Sequence, residues 1–356
     1  MMKLLRTIVS SLPPVGLLVL QLSCGGDASG PAPGVATSIA PNSATTLTAP
    51  PGTQVAELPS VLVKDGSGAP MTGVPVTFAV TSGGGSITGG SATTNSAGIA
   101  TVGSWTLGAA GGNTLSATTG TLAAVKFTAC GTAIHTLGST VDSDLSTTDC
   151  QLSDGSFVDF YTVTVPTAGT YVFSQTSGIF DTYLGLFTSA AGVIGINDDF
   201  GSVGTDSRLK VIVPAGTYIV GANSFDANTI GTYSLASAAS ATPVTNCEDV
   251  FVVPGITSPQ ALETTDCLTN GFYSDEYVIF LTTGQSITVS MTSSALDSYL
   301  EIRRDGNAAL LASNDNIDAT TKDARFAFTV PASGFYIILA ASKVAGATGD
   351  YTFSIQ

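Results

Sequence analysis

The chain has 356 residues, of which only 10% are charged, with 26 acidic against 11 basic side chains and a net charge of −15. A polyanionic surface of this kind argues against nucleic acid and against anionic lipid headgroups as partners. The supply of apolar residues is enough to bury cores, which argues against disorder despite 40 glycines. Short Val/Thr/Tyr/Phe runs punctuated by Gly, Asn, Asp and Pro predict strands and turns, and no long stretch past the N-terminus has a helical apolar period, so the fold class expected is all-β.

The first residues read as a processing signal. Lys3 and Arg6 give a basic start, Leu12–Leu20 is an apolar core too short to span a bilayer, and "QLSCGG" follows. This segment resembles a bacterial lipoprotein signal, which implies cleavage before Cys24 and lipid on that cysteine; Gln21 departs from the leucine that such signals prefer. Residues 1–24 are thus expected to be a signal, and 25–35 a flexible Gly/Ser/Pro tether. No later apolar run reaches the ~18 residues of a membrane span, so membrane attachment is expected only through the lipid.

From 36 to 129 the pattern is of short strands: "SVLVKDGSG", the alternating "VPVTFAVT" (Val74–Thr81), "TTNSAGIATVGSWTL" (Thr93–Leu107), "NTLSATTG" and "AVKFTA". About seven strands in such a length suggest an immunoglobulin-like sandwich. The segments "VLVKDGSGAPMTGVPVTFAV", "TTNSAGIATV" and "GGNTLSATTGTLAAVKFTA" resemble the bacterial group-1 immunoglobulin-like domain of invasin- and intimin-type adhesins, a resemblance that implies a stalk module. Trp105 is expected in its core. "GGGSITGG" (Gly83–Gly90) lacks the pattern of a phosphate cradle and is expected to be a hairpin loop.

The rest of the chain is a duplication. "TTDC" occurs at Thr147–Cys150 and again at Thr264–Cys267, 117 residues later. At offsets close to that value Cys130 meets Cys247, "INDD" (Ile196–Asp199) meets "SNDN" (Ser313–Asn316), "DSRL" meets "DARF", "FDTYL" meets "LDSYL", "VPAGTY" meets "VPASGFY" and "GTYSL" meets "GDYTF". Residues 130–240 and 245–356 are therefore expected to be two copies of one domain, each of ordinary domain size. The acidity belongs to them: from Cys130 onward there are 23 acidic and 7 basic residues, before it 3 and 4. In an exported chain, Cys130–Cys150 and Cys247–Cys267 are the natural disulfides. The rival reading, metal binding, lacks zinc-like spacing, and the chain has one histidine, His135.

"SFVDFYTVTVPTAGTYVFSQTS", "FDTYLGLFTSAAGVIGINDDFG" and "DSRLKVIVPAGTYIVGANS", with their counterparts in the second copy, resemble the bacterial pre-peptidase C-terminal domain. That resemblance implies jelly-roll-type β-sandwiches and roles in attachment or protease secretion. Tyr183/Tyr299, Tyr218/Tyr336 and Tyr233/Tyr351 are shared and expected to be framework. Tyr161, set against Val278, together with Tyr171, Tyr273 and Tyr277, is unshared and freer to face a partner. In "DTYLGLF" the alternation is expected to bury Tyr183 or Leu184 with its register mates.

The candidate chemistry lies in Asp181, Asn197, Asp198, Asp199 and Asp206, recurring as Asp297, Asn314, Asp315, Asn316 and Asp323. Loop carboxylates and amides of this kind suit Ca²⁺; the competing reading makes them Asx turns that cap strands. No other cofactor is implied. No nucleophile motif accompanies His135, so no catalytic residue is assigned. The function expected is a non-catalytic, lipid-anchored protein of the bacterial cell envelope, in binding, adhesion or scaffolding, with an extracellular or envelope protein or polysaccharide as partner. An accessory subunit of an envelope protease or secretion system is the alternative, and a hydrolase a remote one.

Overall fold

The computed structural model describes residues 34–108, 110–200, 204–240 and 247–356. The signal, Cys24 and nearly all of the tether lie outside the described residues. Those residues contain strands, turns and no helix, in sheets packed as sandwiches. The chain divides into two compact units: residues up to Ile134 with Leu145–Tyr161 and Ala227–Ile230, and His135–Asp144 with Thr162–Asp226 and Gly231–Gln356.

In the first unit a three-stranded sheet (Ala36–Pro41, Ser60–Asp65, Ile99–Thr101) and a five-stranded one (Thr46–Ala49, Val125–Gly131, Gly111–Thr118, Pro75–Ser82, Ser91–Thr93) enclose Val61, Phe78, Trp105, Leu115 and Phe127. The alternation of "VPVTFAVT" sends Val76 and Phe78 inward, with Thr77 and Ala79 outward. Trp105 is fully buried, as expected for a lone strand-borne Trp. The segment "GGGSITGG" departs from expectation. Gly85–Thr88 is a strand paired to Ser104–Leu107, with Ile87 opposite Trp105. Gly85 has φ of 86°, and a Cβ there would stand 2.2 Å from the Thr106 carbonyl oxygen, so only glycine permits this strand to close on its partner.

In the second unit one strand order occurs twice. Thr140–Leu145, Gly231–Ala239, Gly169–Thr176 and Ser207–Val213 neighbour one another in that order; Ile256–Leu262, Gly349–Ile355, Ser286–Thr292 and Ala324–Thr329 do the same. Gly216–Ser224, Thr182–Thr188 and Val193–Asn197 are likewise matched by Gly334–Ser342, Ser298–Arg304 and Leu310–Asn314. The two repeats do not stand apart on a linker. The short strand Val250–Val252 runs parallel to Ser207–Val213 of the first repeat, with Lys210 opposite Val250 and Val211 opposite Phe251. It also runs parallel to Phe272–Leu281 of the second, with Val250 opposite Tyr277. One sheet thus continues from Thr140–Leu145 to Leu310–Asn314.

The strand Thr182–Thr188 is covered on both faces. Tyr183 and Leu184 are both buried, where alternation alone predicts one of them. Its counterpart Ser298–Arg304 keeps the alternation.

Candidate functional site

The repeated "TTDC" has a local cause. In each repeat the aspartate closes a four-residue turn: the Asp149 amide donates to the Ser146 carbonyl at 3.2 Å, and the Asp266 amide to that of Glu263 at 3.2 Å. The side chain then returns the bond, Asp149 Oδ2 accepting from the Ser146 amide at 2.6 Å and Asp266 Oδ2 from the Glu263 amide at 2.5 Å. The following cysteine is thereby fixed in a two- or three-residue strand, Cys150 opposite Val158 and Cys267 opposite Ser274. Disulfides join Cys130 to Cys150 and Cys247 to Cys267, with Cα separations of 5.8 and 4.6 Å.

That register corrects the tyrosine correspondence. Val158 and Ser274 sit at equivalent places, so Tyr161 matches Tyr277 rather than Val278. Tyr161, Tyr171 and Tyr277 are 4%, 4% and 0% exposed, against the expectation that they face a partner; Tyr273 alone of the four is half-buried. Tyr171 repeats a device found at two other places. Its hydroxyl donates to the Thr167 carbonyl at 2.7 Å, Tyr218 to Pro214 at 2.8 Å, and Tyr336 to Ala332 at 2.6 Å. Each tyrosine reaches back four residues and closes the turn that its Pro and Gly begin, which satisfies a buried hydroxyl.

The ten Asp and Asn candidates separate into several roles. Asp206 Oδ1 accepts the Ser177 amide at 3.1 Å, and Asp323 Oδ1 the Ser293 amide at 3.0 Å. Asn197 Oδ1 accepts the Arg208 amide and Asn314 Oδ1 the Arg325 amide, both at 2.9 Å. These four cap backbone groups. Asn314 Nδ2 also donates to the Asn316 carbonyl at 2.9 Å, and the Asp198 carbonyl accepts from Ser207 Oγ at 3.3 Å. Asp199 lies by the repeat junction, beside a cleft of about 390 Å³.

Asp181 and Asp297 have equivalent backbones but opposite surroundings. Their carbonyls accept from Phe225 and Lys343, each at 2.8 Å. Burial, then Asp199, Asp198 and Asp226, raise the Asp181 carboxyl above its ordinary value. In the second repeat Lys322 stands 3.4 Å from Asp297 and Lys343 3.7 Å from Asp315. The first repeat thus gathers carboxylates around Asp181, whereas the second sets ammonium groups beside Asp297 and Asp315. Among the described residues no group of three or more His, Cys, Asp or Glu side chains is placed to hold a metal ion. Asn197, Asp206, Asn314 and Asp323 thus face backbone amides, and Asp297 and Asp315 face lysines, while Asp181, Asp198 and Asp199 of the first repeat act on one another electrostatically.

Sequence reasoning missed the buried polar groups. Asp275 is 0% exposed and lies behind Tyr351, whose hydroxyl donates to Asp275 Oδ2 and stands 2.6 Å from that of Tyr277. Burial pushes the Asp275 carboxyl up to about 8, and that of Asp266 to about 6. At the junction Lys210, 2% exposed, lies 3.5 Å from Glu248, which also pairs with Arg208 at 3.2 Å. The available signal was a lysine in the apolar strand "RLKVIV", on the face opposite Leu209 and Val211, which the junction covers.

His135 is 1% exposed, with Nε2 2.7 Å from Ser237 Oγ. Burial lowers its pKa, so the ring is held neutral inside the sandwich. Matching clefts of about 710 and 840 Å³ lie over Ser177, Asp206 and Tyr233 in the first repeat and over Ser293, Asp323 and Tyr351 in the second. Both are walled by hydroxyls and capping carboxylates.

No family model matches the chain, and no curated protein does. Solved structures that are similar in part include the pre-peptidase C-terminal domain of a collagenase from Bacillus anthracis, at 20% identity over 30% of this chain and 93% of that one, TM-score 0.24. A periplasmic inhibitor of g-type lysozyme from Aeromonas hydrophila is similar at 20% identity over 28% of this chain and 85% of that one, TM-score 0.22. A C-terminal fragment of intimin, solved with the intimin-binding domain of its translocated receptor, is similar at 15% identity over 66% of this chain and 69% of that one, TM-score 0.25. Likenesses at this level carry no functional argument.

Proposed function

We propose that the chain is an exported, non-catalytic protein of the bacterial cell envelope, held by lipid on Cys24, that binds or scaffolds an extracellular or envelope protein or polysaccharide. In this reading an immunoglobulin-like stalk at 36–129 carries two pre-peptidase C-terminal-type sandwiches at 130–240 and 245–356. The observation that carries it is the fusion of the two repeats into one sheet through Val250–Val252. A shared sheet presents loops and edges at fixed spacing, which lowers the ordering cost of binding. Two disulfides at equivalent places support an oxidising compartment. The lone histidine, buried against Ser237, supports a role without acid–base chemistry.

The test is retention of envelope components by the soluble form beginning at Gly25, compared with residues 25–129 alone. The reading expects retention that needs the repeats. Hydrolysis of an envelope polymer by the pure protein overturns it, and stoichiometric capture of an envelope protease favours the accessory role instead. Mass spectrometry of the native N-terminus tests the anchor: a lipidated Cys24 is expected, and an unmodified Cys24 within a chain cleaved elsewhere contradicts it.

A further inference from the structure

The junction between the repeats is also a template for what the second repeat leaves open. In the first repeat the strand Ser207–Val213 is paired on its outer side by Val250–Val252. Its equivalent, Ala324–Thr329, pairs with Ser286–Thr292 and ends its sheet. The side chains follow suit. Arg208, Lys210 and Ile212 are covered or partly covered at the junction, whereas Arg325, Ala327 and Thr329 are exposed. The neighbouring hairpin strand shows the same contrast. Ile194 is 1% exposed and Gly195 lies under Phe251, while in the matching hairpin Leu310, opposite Arg303, and Leu311, at the register shift, are 53% and 42% exposed.

We propose that Ala324–Thr329 is a docking edge for an extended segment of a partner protein, which adds as a parallel strand with a carboxylate on Arg325 and an apolar side chain over Leu311 and Ala312. The occupant's chemistry is read from the segment that fills the equivalent place. Glu248 meets Arg208 at 3.2 Å, and three residues later Phe251 covers Gly195. Arg325 keeps the position of Arg208 and is exposed. An edge strand offers backbone donors and acceptors that a parallel strand satisfies, with side-chain pockets setting specificity. A second copy of this chain suits the edge less well: its strand equivalent to Val250–Val252 is Ala133–His135, and Gly131 stands where Glu248 does.

This deepens the binding-protein reading and rests on it. The probe is a capped synthetic peptide of the chain's own segment Glu248–Gly255, titrated into the full soluble chain and followed by amide shifts. The expected result is saturable shifts confined to Ala324–Thr329 and Leu310–Asn314, weakened about tenfold by Arg325→Glu and restored by a peptide with Lys in place of its glutamate. Ala327→Pro, on the exposed side of the strand, is expected to abolish binding by blocking strand addition. Absence of shifts on this edge overturns the proposal, and persistent retention of envelope components in the same preparation then leaves the binding reading standing. Concentration-dependent self-association of the unliganded chain, reversed by the peptide, also overturns it, since the occupant is then a second copy.

Discussion

Gly195 of the first repeat lies against the ring of Phe251 of the second: a Cβ on Gly195 would stand 2.6 Å from the Phe251 Cγ. The glycine is therefore a packing requirement of the shared sheet, since its place is taken by an aromatic ring from the neighbouring repeat. Phe251 in turn lies 6.1 Å, ring centre to ring centre, from Phe335, which lies 5.3 Å from Phe280. The junction is thus an aromatic cluster closed by a glycine, with the Lys210–Glu248 pair alongside.

Gly195→Val is expected to cost about 1–3 kcal/mol, the usual penalty of overpacking a close-fitted site. In combination with Phe251→Ala the two costs should be less than additive, because the truncated ring makes room for the valine. Denaturant melts of the two single variants and the double variant give the coupling; strict additivity contradicts the contact.

Each disulfide closes a separation of 20 residues and should contribute about 3 kcal/mol through the unfolded state. Cys247→Ser with Cys267→Ser is expected to lower stability by that order. Peptide mapping under non-reducing conditions should recover Cys130 with Cys150 and Cys247 with Cys267. Pairing between the repeats, or free thiols in exported protein, contradicts the assignment.

The pH dependence follows from Asp275 and Asp266. Their folded carboxyls titrate near 8 and 6, against an unfolded value of 3.8. Between those limits the folded protein holds protons that the unfolded chain releases. Stability from these groups is full below about pH 4 and is lost as pH rises through 6 and then 8, at up to about 1.4 kcal/mol per pH unit for each. Melting of the second repeat should therefore fall between pH 5 and pH 9. Asp275→Asn should flatten that fall and melt above the parent at pH 9; an unchanged slope contradicts the buried protonated acid.

Calcium and EDTA are expected to give the same melting curve, because Asn197, Asp206, Asn314 and Asp323 are engaged with backbone amides and Asp297 and Asp315 with Lys322 and Lys343. A rise of several degrees with calcium, as selective binding to the folded form would produce, contradicts this. Loss of that rise in Asp181→Ala would place the cation in the first repeat.

The strand alternation, the duplication and the cysteine pairs were legible because each is written in local spacing: the period of two along a strand, and a fixed offset between repeats. The buried tyrosines were not. A single residue lost between Cys267 and Ser274, relative to Cys150 and Val158, shifts Tyr277 onto Tyr161, and four-residue matches cannot place such a gap. The Asp and Asn pattern marked turns at which Asn197, Asp206, Asn314 and Asp323 cap backbone amides, but a capping carboxylate and a cation ligand have the same composition there, so spacing alone does not separate them. The junction was invisible for a different reason. Val250–Val252 is three residues long and pairs in parallel with two strands, one about 40 residues before it and one about 27 after it, so no local periodicity announces it.

One sheet runs through both repeats, joined at Val250–Val252. Native-state hydrogen exchange of the full soluble chain tests it most directly. Amides at Val250, Phe251 and Val252 should be protected to the same degree as those of Phe272–Leu281, and Gly195→Val should lower that protection selectively. Exchange at these three amides at the rate of an open linker, with both repeats otherwise protected, would contradict the account.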